Sequence, residues 1–138
     1  VTVQRYWADK ETGDKLSNLD PSKIQISFTN DGWTEDESAE TTERNVFYYN
    51  SILKKGQTST DFTDKISISG DIAAIVGQTS QTDDNGLTTI TTTYEYDGAS
   101  FVLEATVDAV QTHNAKDAIK SAWGVDVNIS DDGALSLE

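Results

Sequence analysis

The chain has 138 residues, enough to bury the core of one domain without covalent crosslinks. Its 24 acidic and 10 basic residues give a net charge of −14, which repels phosphate backbones and anionic membrane surfaces and excludes nucleic acid as an expected partner. Cysteine is absent, which excludes disulfides and thiolate metal sites, and no apolar run approaches the ~18 residues that a membrane-spanning helix needs.

The first part of the chain predicts three strands and one acidic loop. Residues 1–7 and 23–29 alternate apolar and polar side chains, and residues 46–49 form a dense aromatic strand. Residues 35–43 hold five carboxylates and no base, which predicts an exposed loop. Residues 71–78 form a short apolar run, and periodicity leaves open whether it is a buried strand or a helical turn.

Two hairpins are predicted later in the chain. Residues 87–96 and 99–110 flank Asp97 and Gly98, a pair preferred in two-residue hairpin turns because both positions tolerate positive φ. A second, short hairpin is predicted within residues 125–137, where two apolar runs flank a polar segment.

The segment from Phe101 to Gly124 changes its periodicity from two to 3.6. Its first part predicts a strand with one buried face, formed by every second residue: Phe101, Leu103, Ala105, Val107 and Ala109. Its second part predicts a helix over about 114–123, with an apolar stripe of Ala115, Ala118, Ile119, Ala122 and Trp123. Asn114 suits the N-cap, and Gly124 suits the left-handed position after the helix. We expect Ile119, Ala122 and Trp123 to be buried, and we expect Asn114 to cap the N-terminus of the helix.

Catalytic and metal-binding motifs are not found. His113 is the only histidine, so a multi-histidine zinc site is not predicted, and neither HExxH nor GxSxG occurs. The acidic turns at 83–85 and 131–132 lack the spacing of a calcium loop. We therefore predict no catalytic residue, metal ligand or cofactor, and we interpret the many carboxylates as solvated surface while keeping a carboxylate-dependent hydrolase as an alternative.

Two further interpretations remain open. One group of aromatic residues is typical of a buried core but also suits a sugar-binding platform: Tyr6, Trp7, Trp33, Phe47, Tyr48 and Tyr49. A covalent Lys–Asn crosslink also remains open, because both residue types are present and their proximity is not visible in a sequence.

Three segments, in this order, resemble the TasA/camelysin-like exported proteins of bacteria: VTVQRYWADKETG, VFYYNSILKKGQTSTDFTDKISI and FVLEATVDAVQTHNAKDAIKSAWGV. The recurring aromatic and β-branched residues already favour a β-sandwich. The resemblance implies a jelly-roll-like antiparallel β-sandwich with one short helix, secreted to the cell surface. It also implies assembly into filaments or biofilm-matrix fibres through donor-strand complementation between copies.

The same resemblance places a donor segment and first strands before Val1. We therefore expect residues 1–138 to form a single sandwich domain that lacks N-terminal strands of the mature protein. The expected function is a non-enzymatic extracellular structural subunit whose partners are copies of itself. The alternatives are a cell-surface module that binds carbohydrate or protein, and the hydrolase named above.

Overall fold

The protein is mainly β in the computed structural model, which describes residues 1–138. Strands account for 42% of the residues, and one α-helix is present. The strands are β1 (Thr2–Asp9), β2 (Ile24–Phe28), β3 (Trp33–Glu35), β4 (Arg44–Tyr49), β5 (Thr63–Ile68), β6 (Ile75–Thr82), β7 (Thr88–Tyr94), β8 (Ala99–Thr106), β9 (Val127–Ile129) and β10 (Leu135–Leu137). The helix α1 spans Ala115–Trp123, and short 3-10 helices span Pro21–Lys23, Glu37–Ala39 and Gly70–Ala73. None of these helices has the length and apolarity that a bilayer crossing requires.

The strands form one larger sheet and three ribbons. The larger sheet has the order β3-β4-β1-β8, and β4 pairs antiparallel with both β3 and β1. The two-stranded ribbons are β2-β5, β6-β7 and β9-β10. The pairing of Leu135 with Ile129 confirms the hairpin predicted at the end of the chain.

The chain divides into two compact units, each built from separated stretches of sequence. The first unit comprises Val1–Gln4, Ile26–Ile66 and Leu103–Glu138. The second comprises Arg5–Gln25 and Ser67–Val102. The expectation of one domain over residues 1–138 stays a prediction.

The first unit has an aromatic core around Phe47. The Phe47 side chain is 1% exposed, and its ring centroid lies 4.5 Å from that of Phe28 and 6.2 Å from that of Phe62. Trp33 joins this cluster and donates its indole N–H to the carbonyl of Thr60 at 3.0 Å. Because the indole proton has an acceptor, the buried ring leaves no polar group unpaired.

The second unit is organised around Trp7. The Trp7 indole N–H donates to the Asp20 carbonyl at 2.8 Å, and the Trp7 ring meets the Tyr96 ring edge-on at 4.9 Å. The side chain of Asp20 also accepts from the backbone N–H of Ser22 at 2.9 Å and so caps the 3-10 helix that Pro21 begins. Ile24, fully buried, completes this core.

The prediction of a hairpin around Asp97 and Gly98 is wrong. The turn itself forms, with Gly98 at φ +75°, but β7 pairs with β6, whereas β8 belongs to the four-stranded sheet. The run at 71–78 is a 3-10 helix followed by the start of β6, and that strand continues to Thr82. Turn chemistry is local, and it does not choose the pairing partner of the strands that it joins.

The predicted buried face of β8 is also wrong. Phe101 is 49% exposed, Ala105 is exposed, and the strand ends at Thr106, before Val107 and Ala109. The alternation is therefore correct as a strand pattern, but it does not mark a face covered by this chain.

The helix is confirmed at 115–123, although its capping differs from the prediction. Ile119 is 3% exposed, Trp123 is half-buried and Ala122 is exposed. Asn114 stands at the N-cap in the left-handed conformation with φ 50°, and its side chain makes no capping bond. A side-chain cap needs an extended N-cap residue, so Asn114 contributes its positive-φ tolerance and its carbonyl, which accepts from the N–H of Ala118 at 3.0 Å.

The acidic segment 35–43 is more ordered than its composition suggests. Glu35 closes β3, and Asp36 is only 7% exposed. The Asp36 carboxylate accepts from the Ser38 N–H at 3.0 Å and from the Ser38 hydroxyl at 2.6 Å. These bonds offset part of the cost of burying the charge, so the expectation of a wholly exposed loop is wrong.

Candidate functional site

The first unit contains an open groove of about 770 Å³. One wall is β4, and another is α1 with the β9-β10 hairpin. Residues 51–53 and residues 107–112, between β8 and the helix, also line it, as do the start of β1 and residues between Trp33 and Ala39. We call this feature the groove.

Two aromatic side chains join β4 to the helix in the groove wall. The Tyr48 side chain is 8% exposed, and its ring centroid lies 5.5 Å from that of Trp123. Burial raises the pKa of the Tyr48 hydroxyl, and the nearby negative charge of Asp36 adds to the effect, so the phenol stays neutral over the physiological pH range. Since Phe47 is buried in the core as well, the aromatic run of β4 is covered on both of its faces.

Apolar side chains line the groove and are left open to solvent. Val107 is 72% exposed, Leu53 is 49% exposed and Ile52 is 46% exposed. Only three of the lining side chains carry a charge, namely those of Asp36, Arg44 and Asp108. In a chain with 34 acidic and basic residues, such a surface suits an apolar occupant better than a polar one.

The segment 107–111 has unpaired backbone groups beside these apolar side chains. It follows directly on the end of β8 and belongs to no helix or strand. Its N–H and C=O groups have no hydrogen-bonding partner in the chain. Because every backbone group needs a partner, the segment offers donors and acceptors to water or to an added strand.

No family model, curated protein or solved structure matches this chain. The geometry and chemistry of the groove therefore carry the functional interpretation.

The aromatic residues proposed as a sugar platform do not form one surface. Trp7, Trp33, Phe47 and Tyr48 are 4%, 9%, 1% and 8% exposed, respectively, so their faces are not open to a sugar ring. Tyr6 remains partly exposed, with the Lys15 ammonium nitrogen 5.5 Å from its ring centroid.

The polar residues singled out in the sequence form local turns. Asp83 accepts from the N–H groups of Asn85 and Leu87, both at 2.9 Å. The pKa of Asp132 is lowered by a hydrogen bond from the Ser130 hydroxyl and by one from the Ala134 N–H. His113 is exposed on the turn before α1. No group of three or more His, Cys, Asp or Glu residues is placed to hold a metal ion.

One Lys–Asn pair is close in space, but it is exposed. The Lys116 ammonium lies 3.5 Å from the Asn128 side-chain oxygen and 3.6 Å from a carboxylate oxygen of Glu138. All three side chains face water, so the apolar surroundings that a spontaneous crosslink needs are missing there. The buried Asn45 has Glu35 and Glu40 as its side-chain partners, and neither is a lysine.

The sequence reasoning missed the groove. Its signals were present in Ile52 and Leu53, two adjacent apolar residues in a loop, and in the apolar alternation that continues past the end of β8. Neither signal shows by itself that the two stretches meet.

Proposed function

We propose that this chain is a non-enzymatic structural subunit of an extracellular filament, and that its groove receives a β-strand from another copy. The observation that carries the proposal is the segment 107–111, whose backbone is unpaired while its apolar side chains line the groove. An added strand supplies what the segment lacks, because main-chain hydrogen bonds give affinity and alternate side chains enter the apolar space.

The size of the groove agrees with such an occupant. Five extended residues span about 17 Å at the usual rise of a strand. A volume of about 770 Å³ is in the range of pockets that enclose a ligand of several side chains. Covering Val107, Leu53 and Ile52 would stabilise the assembled form, by less for each side chain than the about 1.5–3 kcal/mol of a fully exposed one, because Leu53 and Ile52 are already half-buried.

The proposal also includes secretion of the protein and a jelly-roll-like arrangement of its sheets. The supporting observations are an acidic, cysteine-free, Thr-rich composition and the resemblance to TasA/camelysin-like exported proteins. Under the proposal the antiparallel sheets form a jelly-roll-like sandwich that the added strand completes. The net charge of −14 keeps free copies apart, so assembly is expected to speed up as salt screens the repulsion.

The proposal is tested by adding a charge to the groove of the full-length protein. Val107→Asp places a carboxylate where the incoming strand packs, and it is expected to abolish filaments seen by electron microscopy while the far-UV circular dichroism spectrum is kept. Ile66→Asp is the matched control, because Ile66 is a 49% exposed apolar residue of the first unit outside the groove. Filaments formed equally by both variants, or by neither the variants nor the wild-type chain, would contradict the proposal.

The same groove supports a second candidate, a surface module that binds an extended segment of a different protein. Its apolar lining favours a peptide over a carbohydrate, which needs convergent polar groups. A full-length protein that stays monomeric yet loses binding to a partner protein on Val107→Asp would favour this candidate.

A further inference from the structure

The second unit carries an exposed two-stranded ribbon, formed by β6 and β7. These strands pair only with each other, from Ile75 opposite Tyr94 to Thr82 opposite Thr88. All but two of their residues are exposed, among them Val76 at 62% and Ile90 at 62%. A two-stranded ribbon without a covered face is marginally stable in water, so this one gains from a neighbour.

The ribbon is uncharged along both of its strands. Neither β6 nor β7 contains an acidic or basic residue, and the connecting turn contributes Asp83 and Asp84. Two copies of a chain with net charge −14 repel each other, and most of the surface would set carboxylates against carboxylates. The ribbon is therefore a surface at which two identical copies can associate without setting carboxylates against each other.

The two edges of the ribbon differ in their protection. The pairing of β6 is irregular between Ile75 and Gly77, and such a bulge with a glycine weakens an edge as a template. The edge of β7 reads TTITTTY and has no glycine, proline, charge or bulge. Native proteins usually protect an exposed edge with at least one of these devices. The β7 edge has none of them, so it is the edge open to pairing with another strand.

We propose that β7 pairs antiparallel with β7 of a second copy, with a twofold axis at Thr91. This register sets Thr91 against its equivalent, Ile90 against Thr92 and Thr89 against Thr93. Cross-strand Thr–Thr pairs and a β-branched neighbour are favourable in antiparallel sheets. The two ribbons then form one four-stranded sheet, and a twofold contact of this kind closes into a dimer. The proposal concerns the second unit and is independent of the groove.

Cysteine crosslinking tests this register directly, because the chain has no cysteine of its own. Residues opposite one another in an antiparallel pair have Cα atoms about 4.5–5.5 Å apart, which suits a disulfide. Thr91→Cys is therefore expected to give a disulfide-linked dimer under mild oxidation. The control is Thr79→Cys, since Thr79 faces Thr91 across the ribbon but lies on the outer strand of the four-stranded sheet. Its two copies would be about 14 Å apart, three strand spacings, and do not crosslink.

Charge substitutions supply a second test that does not depend on oxidation. In the Val107→Asp background, which removes assembly through the groove, Thr91→Lys and Thr91→Glu are each expected to leave the protein monomeric in sedimentation equilibrium, because like charges then face each other on the axis. An equimolar mixture of the two is expected to restore the dimer, which a folding defect would not allow. Equal crosslinking at positions 79 and 91, faster crosslinking at 79, or a wild-type chain that stays monomeric at millimolar concentration each overturns the proposal.

Discussion

The ring centroids of Tyr48 and Trp123 lie 5.5 Å apart, with the ring planes inclined at 40°. This contact fastens the last turn of α1 to the central strand β4 and fixes one wall of the groove. It also explains why Trp123 is half-buried while its neighbour Ala122, about 100° further around the helix, stays exposed.

Trp123→Ala is expected to lower the free energy of unfolding by about 2–3 kcal/mol. The aromatic pair accounts for about 0.5–1.5 kcal/mol, and the lost apolar burial accounts for the rest. Urea denaturation followed by tryptophan fluorescence and circular dichroism measures the change. Ala122→Gln, an exposed position on the same helix, serves as the control and is expected to stay within about 0.5 kcal/mol of the wild type. Equal effects of the two substitutions would show that the helix is not held by this contact.

Asn45→Asp is expected to destabilise the first unit by about 3 kcal/mol at neutral pH. The Asn45 side chain is 4% exposed and donates to Glu35 at 2.6 Å, and its oxygen has no partner. The substitution turns this donor into a buried carboxylate that faces a second one, so the pKa of the introduced carboxyl rises on folding. The substitution is therefore expected to destabilise the folded state little below the unfolded carboxyl pKa of about 4, and increasingly as the pH rises above it.

Urea denaturation of the Asn45→Asp variant between pH 4 and 7 measures this dependence. Its urea midpoint is expected to fall further below that of the wild type as the pH rises. Asn128→Asp is the matched control, because Asn128 is exposed and lies beside the Lys116 ammonium, where a negative charge is accommodated. A penalty at Asn45 that does not change with pH would contradict the explanation by charge burial.

The ion pair between Lys23 and Asp71 sets a pH dependence in the second unit. The hydrogen bond from Lys23 at 3.1 Å lowers the pKa of Asp71, helped by the Ser69 hydroxyl, and the same bond raises the pKa of Lys23. A lowered carboxyl pKa stabilises the folded state above the ordinary value of about 4, and this contribution is lost as the pH falls through the folded pKa. The raised pKa of Lys23 comes from the same ion pair, so it adds stability only while Asp71 is ionised, and this stability is lost in strong alkali.

NMR titration of the Asp71 carboxyl measures the effect. Lys23→Ala is expected to move the pKa of Asp71 upward, and added salt is expected to reduce the difference because both groups are partly exposed. An unchanged Asp71 titration in Lys23→Ala would assign the lowered pKa to Ser69 alone.

The local elements were largely predictable from the sequence, whereas the pairing of distant strands was not. The helix at 115–123 follows from its apolar stripe and from Gly124, which are all local signals. The turn at Asp97 and Gly98 is local too, but β7 takes β6 as its partner through contacts that no turn residue encodes. The burial of Asp36 depends on Ser38, a capping signal within a segment whose net charge dominated the interpretation.

Predicting the groove would have required the same knowledge of contacts between residues distant in the sequence. Ile52 and Val107 stand far apart in the sequence, and only the fold shows that both line one surface. Patterns of period two mark which side chains share a face, but they do not say whether this chain or a second copy covers that face.

The most direct measurement is amide hydrogen exchange at residues 107–111 in the monomeric and the assembled full-length protein. The proposal predicts fast exchange in the monomer, where these N–H groups have no partner, and protection in filaments, where an added strand accepts from them. Filaments in which residues 107–111 exchange as fast as in the monomer would contradict strand addition at the groove.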